Sequence, residues 1–157
     1  MKNVQRREFI NHGSAVMALA ASAGLIAMPS FAQNAAGWNK AAFDAKSLND
    51  VVKAMGGSAA TASSDVILSA PEIAENGNVV RMGVEAKMVG ASMIALLVEK
   101  NPNVLSATFD VIAGSDASFS TNVKMGQTSN VYALAKVGDK FFYSVKEVKV
   151  TLGGCGG

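Results

Sequence analysis

With 157 residues, half of them hydrophobic and 17% charged, the chain has room for one packed domain and too much apolar content to be disordered. Its formal charge of +2 does not mark a nucleic-acid surface. Three of its fourteen basic side chains and one of its twelve acidic ones lie before Gln33, which leaves eleven of each beyond that point.

The chain begins with Lys2, Arg6 and Arg7, then an apolar run over residues 15–28, then Ser30 and Ala32 at the −3 and −1 positions of a small-residue cleavage site. This pattern predicts a signal peptide over 1–32, with an apolar segment too short to span a bilayer. Phe9 and Ile10 follow the Arg6-Arg7 pair, as in a twin-arginine export signal. An ordinary secretory leader or an uncleaved anchor fits that order less well. The expectation is therefore a periplasmic protein with no membrane attachment after cleavage. The only histidine, His12, would leave with the leader, so the mature chain would hold one cysteine and no histidine. A Ser-His or Cys-His catalytic pair, or a Cys/His zinc site, cannot be built from that inventory.

After the leader, Phe43, Leu48, Val51, Val52 and Met55 recur at helical spacing, which predicts an amphipathic helix from Trp38 to Met55, stopped by Gly56-Gly57. The period then changes. Seven short runs rich in Val, Ile and Thr follow, at 65–70, 79–85, 93–99, 105–112, 120–125, 129–137 and 140–152. Pro71 with Glu75-Asn76-Gly77, Lys100-Asn101-Pro102-Asn103, and Ala113-Gly114-Ser115-Asp116 punctuate them, and Gly138-Asp139 predicts a hairpin. The predicted fold is mainly β, an immunoglobulin-like antiparallel sandwich behind an N-terminal helix, over residues 33–152. The run Met93 to Val98 is apolar throughout, as expected of a strand buried on both faces. In the last strand Val148, Val150 and Leu152 alternate with Glu147, Lys149 and Thr151.

The carboxylates Glu72, Glu75 and Glu85 are scattered, and solvated loops account for them; Lys146 and Lys149 suit the solubility of a last strand. The chemistry concentrates instead in Thr151-Leu152-Gly153-Gly154-Cys155-Gly156-Gly157. Four glycines give Cys155 nothing to pack against, so residues 153–157 are expected to form a flexible arm. An unpaired cysteine in an oxidising compartment suggests an intermolecular bond or a reactive thiol. Five such residues span at most about 17 Å at roughly 3.3–3.6 Å each, enough to enter a cleft on another protein. With no base beside the thiol, its activation would fall to a partner. This describes a carrier arm that needs no cofactor of its own. The alternative is an exported structural or assembly module dimerising through a Cys155 disulfide.

The twin-arginine leader, Ala-Pro-Glu-Ile-Ala-Glu-Asn-Gly at 70–77, Glu-Lys-Asn-Pro at 99–102, Lys-Met at 124–125 and Val-Lys-Val-Thr-Leu-Gly-Gly-Cys-Gly-Gly at 148–157 resemble the SoxY family of the thiosulfate-oxidising Sox system. The resemblance implies a non-catalytic sulfur carrier, with Cys155 the covalent attachment site and Gly153, Gly154, Gly156 and Gly157 its arm. It implies a SoxZ-like partner in a heterodimer. It also implies loading by a SoxAX-like haem protein, sulfate release by a SoxB-like manganese hydrolase and, where present, oxidation of the remaining sulfane by a dehydrogenase.

Overall fold

The computed structural model describes residues 39–151. The predicted leader with Arg6 and Arg7, and the predicted arm with Gly153, Gly154, Cys155, Gly156 and Gly157, lie outside the described residues.

Two short helices, α1 (Lys40–Asp44) and α2 (Leu48–Ala54), stand where one was predicted. The break has a local cause. Ala45 is extended, and Ser47 competes for the backbone as a cap: its Oγ accepts from Asp50 N at 3.1 Å and donates to Asp50 Oδ2 at 2.7 Å. Asn39 caps α1 with Oδ1 on Ala42 N, and its Nδ2 donates to Ala54 O at 2.8 Å, tying the start of one helix to the end of the other. The predicted stop is as expected. Gly56 takes φ 86, with Gly56 N on Lys53 O and Gly57 N on Val52 O, the paired bonds of a Schellman cap.

Nine strands follow among the described residues: β1 (Ala60–Ala62), β2 (Val66–Ser69), β3 (Ile73–Ala74), β4 (Val80–Ala86), β5 (Ala91–Val98), β6 (Leu105–Asp110), β7 (Ser118–Val123), β8 (Ser129–Val137) and β9 (Lys140–Val150). The larger sheet runs β1-β9-β8-β5-β6, with β3 also pairing β9; the smaller runs β2-β4-β7. The seven predicted strands are all present, and the two additions, β1 and β3, pair parallel to β9. Together the sheets form the immunoglobulin-like sandwich expected.

Two cores explain the sequence pattern. Between the sheets, Val66, Met82 and Val84 meet Ile94, Leu96, Val131 and Val148. On the other face of the larger sheet, Val51, Val52 and Ala42 of the helices cover Met93, Ala95, Leu97 and Leu134. Successive residues of β5 thus enter different cores, which is why that strand has no polar face. β8 and β9 close by the predicted hairpin, with Gly138 at φ 56, the left-handed backbone wanted at the first position of a II′ turn.

Candidate functional site

What the structure describes of the predicted arm is its root, the end of β9 as far as Thr151. β9 has eleven residues, and nine of them pair in unbroken register with β8, from Val137↔Lys140 to Ser129↔Val148. Val148 is fully buried, and Val150 packs on the inter-sheet core. The predicted alternation holds as far as Thr151, with Glu147, Lys149 and Thr151 exposed, and Leu152 lies outside the described residues.

Beyond Val148 the strand is held by other segments. Val150 N donates to Thr128 Oγ1 at 3.0 Å. On the opposite edge the chain between Ala70 and Gly77 forms a strap. Lys149 N donates to Glu72 O at 2.9 Å and Thr151 N to Ala74 O at 3.2 Å, the slanted ladder of the parallel β3–β9 pair. Thr151 Oγ1 reaches Glu75 O at 3.5 Å, and Lys146 Nζ donates to Ala70 O at 2.9 Å. The Glu72 and Glu75 side chains are exposed, as expected of loop residues, yet their backbone carbonyls hold the last strand. Glu85 lies on β4, near the loop at the other end of the sandwich, so the three carboxylates do not converge.

The strap is locked from below. Gly77 O accepts from Met125 N at 2.7 Å, and a Cβ on Gly77 would stand 2.4 Å from Met125 O and 2.9 Å from Val150 Cγ1. Only glycine lets these three segments meet. Met125 is fully buried. Its neighbour Lys124 offers a carbonyl to Asn101 Nδ2 at 2.8 Å, while Lys100 N donates to Ser129 Oγ at 3.0 Å and Asn130 Nδ2 to Glu99 Oε2 at 2.9 Å. The segments 70–77, 99–102 and 124–125, far apart in sequence, therefore meet at the end of the sandwich from which the last strand leaves.

The root carries no reactive group of its own. Among the described residues no three Asp, Glu, His or Cys side chains gather to hold a metal, and the only ion pair joins Lys40 to Asp44 on α1. On the outer face of β8, burial, and then the charges of Glu99 and Tyr143, push the Tyr132 phenol above its usual range, so it stays protonated. What this arrangement can do is hold the end of β9 in one place. Sequence reasoning missed Thr128, Gly77, Met125 and the strap carbonyls as parts of the site. The only signal for most of them was their presence in the segments that carried the family resemblance.

Comparison with known proteins points the same way. Residues 51–155 match the family model of the sulfur oxidation protein SoxY, a match that begins in α2 and ends on Cys155. Among solved structures, the sulfur carrier protein SoxY from Chlorobium limicola f thiosulfatophilum is similar at 31% identity and TM-score 0.58, over 66% of this chain and 96% of that one. A superoxide reductase (neelaredoxin) from Ignicoccus hospitalis is similar at 16% identity and TM-score 0.49, over 55% of this chain and 79% of that one. No curated protein sequence matches the chain.

Proposed function

The chain belongs to the SoxY family and is a sulfur carrier of a sulfur-oxidation system; from that premise we propose that Cys155 is the attachment point and that thiosulfate is the sulfur it takes up. The observation that carries this reading is the family match running to Cys155, the one cysteine of the chain. The root geometry supports it, because a carrier must present its cargo from a fixed base.

In the loading step the Cys155 thiol and thiosulfate join through a new S–S bond. One proton and two electrons leave, and the electrons pass to a SoxAX-like haem partner. A SoxB-like hydrolase then adds water across the sulfane–sulfonate bond, releasing sulfate and two protons and leaving a persulfide anion on Cys155. A dehydrogenase, where one exists, oxidises that sulfane further. This chain supplies the thiol and its placement. The absence of any histidine after His12 leaves activation and bond cleavage to those partners, so this subunit is their substrate and does not turn over. We place it in the periplasm, exported through Arg6 and Arg7 by the twin-arginine route, as a heterodimer with a SoxZ-like subunit.

Intact-mass measurement of the protein from thiosulfate-oxidising cells tests this directly. The expected result is a population bearing thiosulfonate or sulfane sulfur that Cys155→Ser abolishes together with thiosulfate oxidation. An unmodified thiol throughout, or a resting disulfide dimer that survives in the presence of the partner subunit, would overturn it.

A further inference from the structure

The smaller sheet packs one face on the core, through Val66, Met82 and Val84, and turns the other to solvent. On that outer face Ser69, Arg81, Glu85, Ser118, Ser120 and Asn122 are exposed. The ladder register sets these residues in rows across the strands. Ser69, Gly83 and Ser120 form the middle row, and a Cβ on Gly83 would stand 3.1 Å from Ser120 Oγ and 3.5 Å from Ser69 Cβ. Ile67, Glu85 and Ser118 lie on one side of it, Arg81 and Asn122 on the other. Arg81 and Glu85 thus stand on β4 at equal distances either side of Gly83, with opposite charge. Asp116 and Lys124, also exposed, flank β7 at equal separations in sequence from Ser120. None of the four belongs to an ion pair among the described residues.

The order of these charges is informative. Arg81 and Lys124 lie toward the root end, Glu85 and Asp116 toward the far end. A second copy can be turned about a twofold axis along the middle row, so that the two outer faces meet with their strands running in opposite directions. Arg81 then faces Glu85 of the second copy, Lys124 faces its Asp116, and the twofold repeats each pair. Among these four residues no like charges meet. Lys87, one residue past β4, falls opposite Val79, which is 57% exposed. Facing the sheets with their strands parallel would instead set arginine on arginine and glutamate on glutamate. At the centre Gly83 meets Gly83, where no side chain holds the backbones apart.

The contact is small. Three strands at about 4.8 Å spacing, over the length of β4, cover roughly 14 Å by 24 Å, about 340 Å2 per copy. Stable interfaces take about 800 Å2 per partner, so a weak and reversible association is expected. We propose that the chain pairs with a second copy of itself through this face, held chiefly by the Arg81–Glu85 and Lys124–Asp116 contacts. In such a pair the two root ends point in opposite directions, so neither copy obstructs what docks at the root of the other. The pairing needs no cysteine and is independent of the carrier reading.

The test uses the full chain after removal of the leader, with Cys155→Ser to exclude disulfides. Sedimentation and amide spectra are followed from about 10 μM to about 1 mM. The average mass is expected to rise with concentration and the amides of Ser69, Gly83 and Ser120 to shift, both effects fading at high salt. Arg81→Glu sets carboxylates against each other on both sides of the twofold. It is expected to weaken the pairing about ten-fold, as the loss of two exposed ion pairs implies. The charge-swapped chain, Arg81→Glu with Glu85→Arg, keeps the wild-type net charge and is expected to restore the pairing, which an effect on folding or solubility would not do. A wild-type chain that stays monomeric throughout, or a swap that fails to restore what Arg81→Glu removes, would overturn the proposal. So would shifts of the same amides that appear only on adding a SoxZ-like subunit, an outcome that assigns the face to that subunit.

Discussion

The two ends of the sandwich are built differently. At the root end, β9, the strap 70–77, the 99–102 loop and the 124–130 segment are bonded to one another, with Met125 and Val148 fully buried among them. At the far end, the loops after β4 and β6 bound an open groove of about 720 Å3. There Val89 is 98% and Ile112 78% exposed, and Gly90 and Gly114 turn through positive φ with open space where a Cβ would stand. Both ends close the same pair of sheets, so the fold alone does not demand the difference. The bonding is concentrated around the end of β9, which on the proposed carrier reading is the base from which Cys155 is presented.

The sharpest way to break this contrast is at Gly77. Gly77→Ala forces a methyl onto the Met125 carbonyl and Val150, neither of which can move cheaply, and is expected to cost about 2–3 kcal/mol in urea unfolding. Gly126→Ala, only a few residues from the same cluster but facing open space, is expected to change stability by no more than about 0.5 kcal/mol. Equal effects at the two sites would show that the root is not tightly packed.

A smaller effect is expected from Thr128→Val, which keeps the shape and removes the acceptor for Val150 N, at about 1 kcal/mol. Hydrogen exchange should rise most at Val150 and Thr151, whereas Val89→Lys at the far end should leave every protected amide as it was. The smallest effect concerns Tyr132, whose phenol burial and neighbouring charge hold above the usual range. A raised phenol contributes its stability in full at neutral pH. That contribution starts to fall once the unfolded phenol ionises near about pH 10, and it is gone above the folded value. Tyr132→Phe should therefore flatten part of the alkaline decline in unfolding free energy, while the curve at neutral pH keeps its slope.

Much of this architecture is legible in the residues, and the part that is not has a consistent cause. The unbroken apolar run of β5 announces a strand between two cores, and Val148 with Val150 announces the face that seats β9. Side-chain pattern reports burial well. It is blind to backbone bonds, so β1 and β3, three and two residues long with no alternation to read, cannot be seen before their pairing to β9 is known. The helix break was missed because Ser47 sits at a spacing that fits a continuous amphipathic face equally well. Glu72 and Glu75 look like solvated loop residues and, by their side chains, they are. Their contribution lies in carbonyl groups that any residue type would offer. The reading of Cys155 and its glycines as a carrier arm comes from composition alone, and those residues lie outside the described ones.

The parallel strap on one edge of β9 and the nine-pair antiparallel ladder on the other have a mechanical consequence. A partner gripping the chain beyond Thr151 would pull along the strand axis, so the bonds on both edges would share the load in shear and could not peel away singly. On the proposed carrier reading, the domain can thus be tugged from beyond Thr151 at each delivery without β9 being drawn out.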